Sequence, residues 1–236
     1  EEFQLVYSNL KLVNVKQAEA FWGNKKYALT LGIKSALHDY LLFTDADCIP
    51  ENSNWISEMS SKFDDEKSIV LGYSGYYKIK NSIINKLIRY ETLLTASQYL
   101  SYASCKIPYM GVGRNLAYKK SMFFKANGFN NHMKIKSGDD DLFVNQNSNN
   151  WNTAININAD SFTLSIPKDS FKTWFRQKRR HVSTSKYYKI EHKLLLGLFF
   201  ISQLGIWMSI FILIFSKYSL LATILMIVKL IYTLII

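Results

Sequence analysis

Apolar positions recur at helical spacing over residues 25–36 (KKYALTLGIKSA), collapse into a short unbroken run at 40–44 (YLLFT), and return to helical spacing at 54–63. The turn signal Pro50-Glu51-Asn52 separates the last two. The same reading predicts strands over 69–77 and 115–118, with a long helix over 83–102 between them. Residues 1–7 (EEFQLVY) read as the lead-in to, or the edge of, a strand. Helix and strand in alternation predict an α/β domain over residues 1–167: a mostly parallel sheet with helices on its faces.

The pattern then changes character. Residues 194–215 (LLLGLFFISQLGIWMSIFILIF) run for 22 positions without a charged side chain, which at about 1.5 Å per residue is enough to cross a bilayer core of about 30 Å. After Ser216 and Lys217, residues 218–236 are again apolar, broken only by Lys229, so a helical hairpin of two membrane spans is expected. The apolar run stops at Ile236 without a polar flank, and the chain opens at Glu1 without a charged leader; further chain is expected on both sides.

Composition explains the charge. Lys and Arg number 29 against 18 Asp and Glu, a net +11, and nine of the basic residues (Lys168, Lys172, Arg176, Lys178, Arg179, Arg180, Lys186, Lys189, Lys193) fall in the segment 168–193 ahead of the first span. There Phe171, Trp174 and Phe175 interleave with cations, the pattern of an interfacial amphipathic helix beside a membrane. The cluster reads as a lipid-headgroup anchor with no nucleic-acid partner, and its sign places the body on the cytoplasmic face of a plasma membrane of the bacterial inner-membrane type. With 48% hydrophobic residues, 10 Gly and 3 Pro, the chain is neither a disordered tail nor a low-complexity repeat. Cys48 and Cys105 supply no disulfide framework.

Candidate chemistry begins where the strand 40–44 releases Asp45-Ala46-Asp47. Two carboxylates at i and i+2 beyond the carboxyl end of a strand can converge on a divalent cation, Mg²⁺ or Mn²⁺, whose shell a substrate phosphate completes. Acidic turn chemistry is the alternative. A second acidic knot, Ser137-Gly138-Asp139-Asp140-Asp141-Leu142-Phe143, is either a capped helix start or a set of carboxylates raised toward a working base by like charge. Between the two lies Gly111-Val112-Gly113-Arg114-Asn115, with glycines that permit close backbone approach and polar side chains that can bind a ligand.

In order along the chain, TDADCIPENSNW (44–55), the G-x-G-R-N strand, the acidic D-D-D-L, a Q-x-x-R and then apolar spans resemble the membrane-bound members of glycosyltransferase family 2. The resemblance implies a GT-A fold, a Rossmann-like sheet with flanking helices, followed by the transmembrane hairpin. It also implies inverting transfer of a sugar from a nucleotide-diphosphate sugar to a saccharide or lipid-linked acceptor. Asp45 and Asp47 match the D-x-D that holds the metal, and Asp139 matches the general base of E-D-x-D-L, with Asp140 and Asp141 beside it. Gln177 and Arg180 match Q-x-x-R, and His181 stands where the family carries the Trp that lines the acceptor channel of processive synthases. Lys25 and Lys26 lie where relatives place a nucleotide-contacting Lys, and Gly113, Arg114 and Asn115 fall at the donor and acceptor site. Two other readings remain open: a haloacid-dehalogenase-like phosphohydrolase, which also carries a strand ending in D-x-D, and a non-catalytic, basic, membrane-anchored scaffold.

Overall fold

The computed structural model describes residues 2–15 and 24–235. Glu1 and Ile236, which end two predicted elements, lie outside the described residues. The opening segment is a helix, α1 (Glu2–Val6), where the pattern predicts a strand lead-in. Phe3, Leu5 and Val6 are exposed there. The backbone meets hydrogen bonds within one turn, Tyr7 N to Phe3 O at 2.9 Å, and among the described residues no strand pairs with it.

Then follow α2 (Asn24–Ser35), β1 (Tyr40–Phe43), β2 (Cys48–Pro50), α3 (Trp55–Ser60), β3 (Ile69–Gly72), β4 (Ser74–Tyr76), α4 (Ile83–Ser104) and β5 (Leu116–Lys119). The second half supplies α5 (Lys120–Lys125), α6 (Asp141–Asn147), β6 (Thr153–Asn156), β7 (Thr163–Ser165), α7 (Phe171–Val182), α8 (Ile190–Ile214) and α9 (Ser219–Ile235). Ser82 caps α4 by accepting the Asn85 N–H.

Four strands form the main sheet in the order β1-β5-β3-β6. All four β3 residues are buried, Ile69 and Leu71 against one face and Val70 against the other, as a strand covered on both sides requires. One face carries the large core of Ile33, Leu116, Tyr118, Phe123, Phe129, Leu142 and Phe143; the other carries Met59, Val70 and Ala117 under Trp55 and Phe63. The α/β layering is as expected, but the sheet is mixed: β3 and β6 are parallel, whereas β5 runs antiparallel to both β1 and β3. Strand direction leaves no trace in hydrophobic periodicity.

The apolar run 69–77 is not one strand. It breaks at Tyr73, and β4 departs into a second sheet of order β2-β7-β4. Asn115 enters at the break, its Nδ2 donating to Tyr73 O at 2.7 Å, and a Cβ on Gly72 would come within 2.5 Å of that amide. Gly72 is there because no side chain fits.

At the other end, α8 and α9 form an antiparallel pair that leaves most of their apolar side chains exposed. Among the described residues α8 is the one helix long and apolar enough to cross a membrane; α9 is shorter. Lys229 Nζ donates to Gln203 Oε1 across the pair at 2.8 Å.

Candidate active site

Strand β1 ends at Phe43 and releases Asp45, half-buried, and Asp47, exposed, beyond its carboxyl end. The acidic knot reaches the same place from the far half of the chain. Gly138 turns it there with φ +92°, a conformation that favours glycine, and a Cβ at this position would sit 2.4 Å from Leu142 Cδ1. Asp140 then caps α6: its Oδ1 accepts the Asp141 N–H at 2.8 Å, and its Oδ2 accepts the Gly113 N–H at 2.7 Å. Gly113 makes a close approach, as its type suggests, but the group it approaches is Asp140.

Lys25, in the first turn of α2, joins the two acidic elements. Its Nζ lies 3.0 Å from Asp45 Oδ1 and 2.9 Å from Asp139 Oδ2. Burial alone would lower its pKa, yet the carboxylates of Asp139 and Asp45 outweigh that and raise it above the ordinary lysine range. The Asp140 carboxyl is pushed up to about 7, through burial first and then the like charges of Asp139 and Asp141.

Several predicted ligand-binding residues are built into the framework. Lys26 is 1% exposed and its Nζ donates to the carbonyls of His132, Ile135 and Ser137 at 2.7, 2.8 and 2.8 Å. All three of its donors are used, so it braces the loop before the acidic knot. Burial lowers its pKa to about 8.

Asn115 is fully buried. Its Nδ2 serves Tyr73 O and Ser161 O, which uses both amide hydrogens, and its Oδ1 accepts Trp55 Nε1–H at 3.0 Å. The Arg114 guanidinium donates to the Ser74 and Gly75 carbonyls and to Ser165 Oγ, and lies 4.5 Å over the Tyr76 ring. It clamps the loop to the second sheet. Asp141, buried, accepts the Thr184 hydroxyl and the Tyr188 hydroxyl, the latter at 2.8 Å, so it too is turned inward; burial raises its pKa against the pull of those two bonds. In each of these four the polar side chain is engaged by tertiary partners that the sequence does not reveal.

Helix α7 carries Gln177 half-buried and Arg180 and His181 exposed. Arg180 Nη2 is 3.5 Å from His181 Nε2. Desolvation first, and then the charges of Lys178, Arg180, Arg114 and Lys25, push His181 down to about 4, so it is neutral at physiological pH. Among the described residues no hydrogen bond or ion pair joins Gln177 or Arg180 to Asp45, Asp47 or Asp139. An ion pair between Lys178 and Glu91 fastens α7 to α4. Thr184 and Tyr188, which bond Asp141, carry no motif that marks them in the sequence.

The D-x-D pair suits a divalent cation. Asp45 already draws a positive group, the Lys25 ammonium, and Asp47 is exposed with one weak contact, from Cys48 Sγ at 3.7 Å. Among the described residues no cluster of three His, Cys, Asp or Glu side chains exists to enclose a metal. Two carboxylates, one of them open to solvent, match an ion that takes the rest of its shell from a phosphorylated substrate.

A family model described as Glycosyl transferase family 2 matches residues 8–127, just over half of the chain. The match takes in Lys25, Asp45, Asp47 and the Gly113 loop, and ends before the acidic knot. No curated protein matches the chain. Among solved structures, the mannosyltransferase PcManGT from Pyrobaculum calidifontis, in complex with GDP-Man and Mn²⁺, is similar with a TM-score of 0.46 at 15% identity. The alignment covers 73% of this chain and 45% of that one, so the chain spans under half of that protein's length.

Proposed function

The chain belongs to glycosyl transferase family 2, and on that premise we propose that it transfers a sugar, with inversion, from a nucleotide-diphosphate sugar to a saccharide or lipid-linked acceptor at a membrane face. The observation that carries this reading is the Lys25 bridge. One ammonium within 3.0 Å of both Asp45 and Asp139 brings the strand-end carboxylates and the acidic knot to one spot, although they lie in different halves of the chain. The phosphohydrolase reading is set aside by the family.

Asp139 is the general base. Its carboxylate takes the acceptor hydroxyl proton while the acceptor oxygen bonds to the anomeric carbon and the bond from that carbon to the diphosphate oxygen breaks. A single displacement inverts the centre. Lys25 holds Asp139 in an ion pair before substrate arrives, and the donor diphosphate offers its ammonium a stronger negative partner, which frees the base. Asp45 and Asp47 would hold Mg²⁺ or Mn²⁺, whose chemistry is to screen charge on the diphosphate oxygens. Asp140, its carboxyl raised to about 7, orients Gly113 and the start of α6. Gln177, Arg180 and His181 face the donor or acceptor from α7.

The membrane belongs to the same proposal. Helix α7 exposes Phe171, Phe175 and Val182 beside Lys172, Arg176 and Arg179, which suits an anionic bilayer surface on the cytoplasmic side, and α8 follows as the span.

The test is release of nucleoside diphosphate from a panel of sugar nucleotides with Mn²⁺ or Mg²⁺, using membranes that carry the protein or its Asp139→Asn variant. Release that depends on metal and on Asp139 is expected. No release from any donor by inserted, folded protein would overturn the reading.

A further inference from the structure

Helix α6 is seven residues long and begins at the last Asp of the acidic knot, with Asp140 as its N-cap and Asp139 in the turn just before. Its inward side is bonded, through buried polar groups, to the segment that enters the membrane helix. Asp141 accepts the hydroxyls of Thr184 and Tyr188, both between α7 and α8. One turn on, Asn145 Oδ1 accepts the Lys189 N–H at 2.9 Å, and its Nδ2 lies 2.9 Å from Nδ1 of His192 in the first turn of α8. The same Nδ2 donates to Tyr109 O at 2.7 Å, and the Tyr109 ring contacts those of Tyr188 and His192. Asp141, Asn145, Thr184, Tyr188 and His192 are each less than 9% exposed. Such a network is rigid where every member is satisfied, and expensive to open where water cannot enter.

We infer that Asp141 and Asn145 are positioning residues: they fasten the helix, whose N-terminal turn presents the base, to the head of the membrane helix, and so set the height of Asp139 relative to the bilayer. This rests on the transferase reading. Asp139 and Asp141 are two residues apart at one helix start, so a shift of α6 against α8 moves Asp139 with it. An acceptor carried by the membrane presents its hydroxyl at a fixed depth, and displacement of a reacting group by about 1 Å lowers a rate by up to about 100-fold. The donor contacts from Lys25 and the D-x-D pair come from α2 and the end of β1, which the tether does not touch, and on the proposal that these hold the donor its binding survives loss of the tether.

The test uses the whole chain in membranes, with Thr184→Val combined with Tyr188→Phe, two changes that remove the hydroxyls without touching substrate. The kcat for transfer should fall about tenfold with the donor KM unchanged, and amide hydrogen exchange over residues 139–147 should rise. Thr184→Ser, which keeps a hydroxyl, should retain the wild-type rate. An unchanged kcat overturns the inference, as does a loss shared equally by kcat, donor KM and Thr184→Ser, which would mean general loosening. Should the wild-type protein release no nucleotide, the transferase reading fails. The tether then stands or falls on exchange alone, and unchanged protection of 139–147 in the double variant overturns it.

Discussion

Lys25 and Lys26 are neighbours of one residue type with opposite assignments, and substituting each by methionine separates them. Methionine keeps the length of the apolar stem and donates nothing. In Lys26→Met three carbonyls lose their donor, His132 O in a buried setting and Ile135 O and Ser137 O in partly buried ones. A dry, unmet carbonyl costs about 1–3 kcal/mol, and the two that solvent partly reaches cost about half as much each. Release of an ammonium that burial disfavours, with its pKa down at about 8, offsets part of this. The net loss is about 2–3 kcal/mol, which for a chain of this size lowers Tm by roughly 5–10 °C. Lys25 has a side chain 53% exposed; its pair with Asp45 is half-solvated on both sides and that with Asp139, 9% exposed, is open to water on the ammonium side, so both contribute less to stability than the Lys26 bonds. Lys25→Met should therefore shift Tm by less than half as much, while abolishing transfer. Thermal unfolding of both variants in the same detergent, beside nucleoside diphosphate release, reads the contrast. A Tm for Lys26→Met within 2 °C of wild type would refute the bracing role, and equal drops for the two variants would refute the division between them.

Three further outcomes follow from the site. Gly138→Ala, at φ +92° and with its Cβ driven against Leu142, should lower Tm and remove transfer together; a variant with wild-type melting would show that the turn tolerates a side chain. Excess EDTA should stop transfer and added Mn²⁺ or Mg²⁺ restore it, whereas activity that persists in chelator would take Asp45 and Asp47 out of the metal role. Asp140, with its carboxyl raised from the ordinary 3.8 to about 7, binds more proton in the folded than the unfolded state between those pH values, so it makes wild-type stability fall as pH rises through that window. Asp140→Asn lacks that slope, so its Tm relative to wild type should climb from pH 4.5 to pH 7.5; a constant difference would refute the shift.

What the sequence determined by itself was local. The α/β alternation, the carboxylates at the end of β1, the acidic start of α6, the amphipathic α7 and the apolar α8 all show in periodicity, capping chemistry or composition, which depend on near neighbours along the chain. Tertiary structure decided what those signals leave open. The direction of β5 and the break at Tyr73 depend on which strand lies alongside. The opening segment is helical, and among the described residues no strand pairs with it. Lys25 and Lys26 part company because successive helical side chains point about 100° apart, one toward Asp45 and Asp139 and the other into the loop at 132–137. Asn115, Arg114 and Asp141 carry the residue types of a binding site, yet their hydrogen bonds go to Tyr73, Ser74 and Thr184. A side chain's chemistry is written at its own position, but whether its donors and acceptors are free for a substrate is settled by partners that only the folded chain brings within 3 Å.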